Sequence, residues 1–255
     1  MTDLRYDFSG SDVAVTGSAT GIGAATARAF ARHGAKVWLM DIDDAANAAV
    51  AADIEAGNGT ARALHVDVTW SESVDGAFAR LGREAGKLDV LVNNAGGFGR
   101  QESPTETTDA AWDHIIDLNL KSVFLCARAA IPLLRSSPAG RIVNLGSLAG
   151  QTAIYRSAPA YAAAKAGVHA LTRVLAFELG PEGITSNAIA PSAILTDRIL
   201  DVRGPEERAR TEATIPVGRY GTPEDVAATI LFVASREAAY LNGETIAVNG
   251  GRFMI

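Results

Sequence analysis

Short runs of almost wholly apolar residues alternate with helix-period segments along the whole chain, and this alternation restricts the fold more than any other feature. Residues 13–15, 36–41, 61–68, 88–92, 141–145, 184–189 and 245–248 read as strands. Between them, segment 22–32 carries Ile22, Ala25, Ala29 and Phe30 at helical spacing, and an Ala-rich stretch through Glu55 and segment 71–84 also read as helices. A strand that is apolar on both sides must be covered on both sides, and strands joined through helices run parallel. The expected fold is therefore α/β: a single doubly wound Rossmann-type domain over residues 1–255, with a seven-stranded parallel sheet and helices on both faces. A barrel of this class would need eight strand–helix units. Segment 192–220 reads as a longer irregular region, and no repeat or linker divides the chain. Thr222-Pro223-Glu224-Asp225 supplies a capping hydroxyl, a proline at the first helical position and two acids in the first turn. Pro159 plays the same part ahead of a helix over 161–179.

Composition narrows the function. With 255 residues and 48% hydrophobic side chains the chain can bury a large core, built mostly from Ala, Val, Ile and Leu because aromatics are only 6%. A formal charge of −6 disfavours a nucleic-acid partner. Cys126 is the single cysteine, which excludes an intrachain disulfide and a cysteine-type metal site; it reads as a small core residue. His33, His65, His114 and His169 are scattered without ligand spacing, so no metal is expected. With neither a signal-like start nor a run of about 18 apolar residues, a soluble, cytoplasmic protein without a membrane partner is expected.

Two features point to a dinucleotide. Thr16-Gly17-Ser18-Ala19-Thr20-Gly21-Ile22-Gly23 joins the first strand to the first helix. Glycines there let backbone approach a pyrophosphate, and the helix amino terminus offers unpaired N–H groups. Asp41 ends the second strand, where a carboxylate can accept both hydroxyls of an adenosine ribose and would repel a 2′-phosphate. Neither Ser18 nor Ile42 is a cation that would hold that phosphate, so NAD is favoured over NADP.

Tyr161 and Lys165, four apart on one predicted helix, share a face. With 5 tyrosines and few lysines in the chain, such a pair is rare by chance. Alcohol oxidation releases a proton as hydride leaves carbon. A free tyrosine is a poor base at neutral pH, and a nearby ammonium stabilises its phenolate. Ser147, just beyond the strand at 141–145, lies at the carboxyl edge where open α/β sheets bind ligands and could hold the substrate oxygen.

Taken together, the 16–23 turn, Asp67-Val68, Asn93-Asn94-Ala95-Gly96, Asn119, Ser147, Tyr161-x-x-x-Lys165, Pro191 with Thr196, 215–219 and 248–251 resemble the short-chain dehydrogenase/reductases over essentially the whole chain. The resemblance implies Tyr161 as general acid/base and Lys165 as the group that lowers its pKa and binds the nicotinamide ribose. It implies that Ser147 positions the substrate oxygen and that Asn119 holds a water in a proton relay. Asp67 and Val68 would flank adenine, Asn93, Ala95 and Gly96 would line the cofactor cleft, and Pro191, Ile194 and Thr196 would lie at the carboxamide. Gly17, Ser18, Thr20, Gly21, Ile22, Gly23, Asp41 and Ile42 complete the expected cofactor set, and a homotetramer is the expected assembly. One departure is Ser192, where relatives usually have glycine after the proline; a serine tolerates positive φ less well and puts that loop's shape in question.

The chain looks closest to 3-oxoacyl-(acyl carrier protein) reductases. However, Asp41 disfavours their usual NADPH, and Glu182 stands where such enzymes often carry a basic residue for the acidic carrier. The segments expected to line a substrate pocket are 97–103, 148–160 and 195–210. Arg100, Gln151, Arg156 and Arg198, with Ser147 and Tyr161, form the expected substrate set. They suit a sugar, polyol or anionic hydroxy compound better than an apolar ketone. A non-catalytic NAD-binding regulator would tend to lose the tyrosine or lysine, and both are present.

Overall fold

A computed structural model describes residues 6–153 and 158–254. Seven strands form one all-parallel sheet: β1 (Asp12–Thr16), β2 (Lys36–Asp41), β3 (Thr60–His65), β4 (Val90–Asn93), β5 (Arg141–Leu145), β6 (Thr185–Pro191) and β7 (Thr245–Val248). Their order is β3-β2-β1-β4-β5-β6-β7. The chain reverses direction across the sheet between β1 and β4, which pair with Val13 opposite Val90. A crevice opens at that point beyond the strands' carboxyl ends.

The apolar runs are explained by burial on both faces. Val13, Val15, Val37 and Leu39 pack into one core with helices α1 (Gly21–Arg32), α2 (Asp44–Ala56) and, much later in the chain, α9 (Pro223–Ala234). The alternate residues Ala14, Trp38 and Met40 pack into a second core with α3 (Ser71–Ala85), α5 (Ser122–Leu134) and α6 (Pro159–Leu179). Trp38 is fully buried there, its indole N–H donating to Asp12 Oδ1 at 2.9 Å. Cys126 belongs to the same core, and burial pushes its thiol up to about 12.

The predicted proline starts are present. Pro159 opens α6, and Pro223 opens α9 behind a complete capping box in which Thr222 Oγ1 accepts from Asp225 N and the Asp225 carboxylate accepts from Thr222 N. The third strand stops at His65 rather than running to 68, because Asp67 turns the chain by accepting from both the backbone and hydroxyl of Thr69. Two short helices, α7 (Asp197–Val202) and α8 (Pro205–Glu212), occupy the segment read as irregular. They are amphipathic too weakly for periodicity to find: neither buries a whole residue, although Gly204-Pro205 marks the second start. The strain expected at Ser192 falls instead on its neighbour, since Ala193 has φ of 52° and Ser192 is not in the left-handed region. Among the described residues, no helix is long and apolar enough to cross a membrane.

Candidate active site

The crevice at the switch point is a cleft of about 610 Å³ lined by the glycine turn, Asp41, Ile42, Val66, Asp67, Val68, the 94–98 loop, Ser147, Tyr161, Lys165, Pro191 and Thr196. Its floor depends on close approach. A Cβ on Gly17 would lie 2.8 Å from Ala95 Cα, and one on Gly23 would collide with the Gly17 carbonyl oxygen. Gly21, at φ of 52°, faces Thr196 across the cleft, where an added Cβ would sit 3.4 Å from the threonine methyl. Thr20 caps α1 without a side-chain bond, and Thr20, Gly21 and Ile22 line the cleft at the helix amino terminus, where first-turn N–H groups lack intrahelical partners.

Asp41 has two tasks. Its Oδ2 accepts from Ala19 N at 2.9 Å, tying the glycine turn to the end of β2, and its Oδ1 accepts from Asp43 N at 3.0 Å. Both oxygens retain lone pairs for further donors. Ser18 does not reach the cleft by its side chain: the hydroxyl is buried and donates to Asn47 Oδ1 at 2.8 Å, holding the turn from behind. Asn93 is likewise a wall residue, its amide donating to Asn144 Oδ1 at 2.9 Å. These residues, with Gly17, Gly21 and Gly23, give a cradle that fits a dinucleotide pyrophosphate, and the Asp41 carboxylate fits a ribose diol.

At the other end of the cleft, Lys165 is buried and donates from Nζ to the Leu145 carbonyl at 2.6 Å. Burial pushes its ammonium down to about 8, so it is still charged at neutral pH. It lies 5.8 Å from the centroid of the Tyr161 ring, as expected of neighbours one turn apart on α6. Phe98 meets the same ring edge-on at 6.5 Å. Ser147, buried in an extended conformation, accepts from Ala149 N at 3.1 Å and keeps its hydroxyl proton for another acceptor.

Asn119 works at one remove. It sits in a π-helical turn (Asp117–Lys121), and its amide donates to Gly97 O and Ile115 O while accepting from Gly97 N. Its side chain therefore fixes the 96–98 loop, and Gly96 is needed because a Cβ there would come 2.7 Å from Asn119 Oδ1.

A second cavity, about 390 Å³, adjoins the first and shares Ser147, Tyr161, Pro191, Thr196, Phe98 and Ile22 with it. Ile194 lines this cavity rather than the cleft. The expected substrate residues fare unevenly. Ser147 and Tyr161 line both spaces. Arg198 lines the cleft, packed against Gly97 with its guanidinium 4.6 Å over the Phe98 ring. Arg100 does not enter either space: its side chain is 92% exposed beside Glu102. Gln151 lines a third, separate cavity with His169 and Arg173. His169 is buried there and held neutral, down to about 4, by burial and then by the charges of Lys165 and Arg173. Arg156 lies outside the described residues. Arg203 and Glu207, within the 195–210 segment expected to line a pocket, and Thr211, Tyr220 and Arg252, outside it, line the second cavity, although none belongs to the expected substrate set. Among the described residues no group of three or more His, Cys, Asp or Glu could hold a metal.

The chain is similar over nearly its whole length to several known proteins. A family described as enoyl-(acyl carrier protein) reductase matches residues 17–252. The 2-(S)-hydroxypropyl-CoM dehydrogenase 3 of Xanthobacter autotrophicus is 38% identical over 246 residues, covering 94% of this chain and 95% of that protein. The 3-oxoacyl-[acyl-carrier-protein] reductase FabG of Escherichia coli is also 38% identical, covering 98% of this chain and 100% of its own. The active-site complex of Pseudomonas aeruginosa RhlG with NADP superposes with a TM-score of 0.92 at 33% identity, covering 97% of this chain and 98% of that one.

Proposed function

The chain belongs to the short-chain dehydrogenase/reductase family, and from that premise we propose that it is an NAD-dependent oxidoreductase interconverting a polar secondary alcohol and its ketone. The observation that carries the reading is that Ser147 and Tyr161 stand on the wall shared by the cleft and the second cavity, with the buried Lys165 beside them in the cleft. A bound nicotinamide dinucleotide would accept or supply the hydride. The chain's own residues would do the rest. Ser147 donates a hydrogen bond to the substrate oxygen, Tyr161 takes up the hydroxyl proton during oxidation, and the Lys165 ammonium favours the phenolate form that does so. Asn119 keeps the 96–98 loop in place beside them.

The choice of NAD rests on Asp41, whose carboxylate would oppose a 2′-phosphate. Ile42, 61% exposed beside it, offers no compensating cation. The other reading, an NADP-linked 3-oxoacyl thioester reductase, is favoured by the likeness to FabG and RhlG. Against carrier docking stands Glu182, an exposed carboxylate paired with Arg135 at 2.6 Å. Exposed Phe124 on α5 and Val174 and Phe177 on α6 support self-association, in line with a homotetramer.

The test is the ratio of kcat/KM for NAD over NADP, in wild type and Asp41→Ala, with sugars, polyols, hydroxy acids and 3-hydroxyacyl thioesters as substrates. We expect wild type to prefer NAD and the variant to lose at least tenfold of that preference. A wild type that prefers NADP and works only on thioesters would replace this reading with the reductase one. Tyr161→Phe should lower turnover by roughly 10²–10⁴-fold.

A further inference from the structure

The second cavity has a chemistry of its own beyond the catalytic pair. Tyr220 is buried, only 7% exposed, and its hydroxyl has no hydrogen-bond partner. Tyr220 lines the cavity, and a buried hydroxyl without a protein partner is satisfied when a ligand or a water supplies one. Two guanidinium groups line the same space. Arg252 reaches it across 60 residues of sequence, its Nη1 donating to Ser192 Oγ at 3.1 Å. The serine that departs from the family pattern thus orients a cation. Arg203 is mostly buried, with 22% of its side chain exposed, and pairs through Nε with Glu207 at 3.3 Å. Among the described residues its terminal amino groups make no hydrogen bond. Thr211 adds a further hydroxyl to the lining.

Arg203 and Arg252 both line the space, and a guanidinium fork matches a carboxylate better than any neutral group. A volume of about 390 Å³ lies at the small end for a ligand site, which suits a short substrate. We infer that this cavity selects short hydroxy or oxo acids whose carboxylate is held by Arg203, Arg252 and the Tyr220 hydroxyl while the carbinol lies at Ser147 and Tyr161. The inference rests on the dehydrogenase reading above, and it moves substrate recognition from Arg100 and Arg198 to the end of α7, the segment before α9 and the carboxyl-terminal segment. Glu207 has a defined part: it neutralises Arg203 before substrate binds and disfavours a second negative charge.

The experiment compares 2-hydroxybutanoate, 3-hydroxybutanoate and 4-hydroxypentanoate with their methyl esters, which keep the alcohol and remove the charge. Initial rates with NAD and with NADP are measured for wild type, Arg203→Met, Arg252→Met and Tyr220→Phe, and binding of each acid is followed by calorimetry. We expect at least one acid to exceed its ester tenfold in kcat/KM. That acid-to-ester ratio should fall at least tenfold in each arginine variant and severalfold in Tyr220→Phe. Esters used as well as acids, or a ratio unchanged in both arginine variants, would overturn the anion site and leave the dehydrogenase reading standing. If no alcohol is oxidised but an acid binds wild type and not the arginine variants, the site stands and the dehydrogenase reading falls. If no acid binds or reacts, the inference is wrong.

Discussion

Lys165 is placed where stability and function pull apart, and Lys165→Met measures the conflict. The ammonium is buried, and the fall in its pKa from 10.5 to about 8 corresponds to a cost of about 3 kcal/mol for keeping the charge inside. Methionine has a similar length and no charge, so it removes that cost. It also removes the donor to Leu145 O, held at 2.6 Å, and an unmet carbonyl costs roughly 1–3 kcal/mol. Leu145 lines the open cleft, so water can replace the lysine and the lower figure applies. The net expectation is a variant more stable by about 1–2 kcal/mol, or roughly 2–8 °C in Tm for a chain of this size. Its activity should fall at least a hundredfold. The pH dependence identifies the cause. Below pH 8 the lysine is protonated in both folded and unfolded chains and the cost is fully present. Between about 8 and 10.5 the folded chain binds fewer protons than the unfolded one, so wild-type stability rises with pH relative to the variant. The variant's advantage should therefore shrink across that window in denaturant melts of the cofactor-free protein. A variant less stable than wild type at pH 7, or an advantage independent of pH from 7 to 10, would refute the reasoning.

Two other substitutions test the scaffold. Asp225→Asn should weaken both the capping box of α9 and the pair with Arg219, for a loss of about 1 kcal/mol at pH 7. The Arg219 guanidinium and the Thr222 N–H hold the Asp225 carboxyl down at about 2, so the stabilisation is present above the ordinary carboxylate value. It should vanish as pH falls from about 4 toward 2, and a gap that persists at pH 2 would contradict this. Gly23→Ala drives a methyl group into the Gly17 carbonyl and against Asn94 Nδ2, so calorimetry should find dinucleotide affinity reduced at least tenfold, and unaltered affinity would mean the turn does not hold the pyrophosphate.

Much of the catalytic centre was legible because its signals are local. The apolar runs of β1 and β4 mark strands buried on both faces, and Val13 and Ala14 duly enter opposite cores. Tyr161 and Lys165 meet because helical geometry fixes residues four apart, and Pro159 announces the helix that carries them. The tie from Asn119 to Gly97 was harder to see, since it depends on a π-helical turn that no side-chain period encodes.

Position in the chain misled where tertiary contacts decide. Arg100 falls in a loop next to the strand ends, yet its side chain points to solvent, whereas Arg198, on α7, lines the cleft and stacks on Phe98. The 203–212 run has the mixed charges of a solvated helix, and α8 buries no whole residue, but Glu207 on it and Arg203 just before it line the second cavity. Ser192 looked like a defect in a glycine position until its hydroxyl met Arg252. By itself the sequence determined the sheet, the glycine cradle and the Tyr–Lys pair, because each follows from propensities and spacings within a few residues. The second cavity's lining was decided only by the packed chain. Its members run from Ile22 to Arg252, 230 residues and several elements apart, and burial of two separate cores, rather than any local preference, brings Ser192, Arg203, Tyr220 and Arg252 to one place.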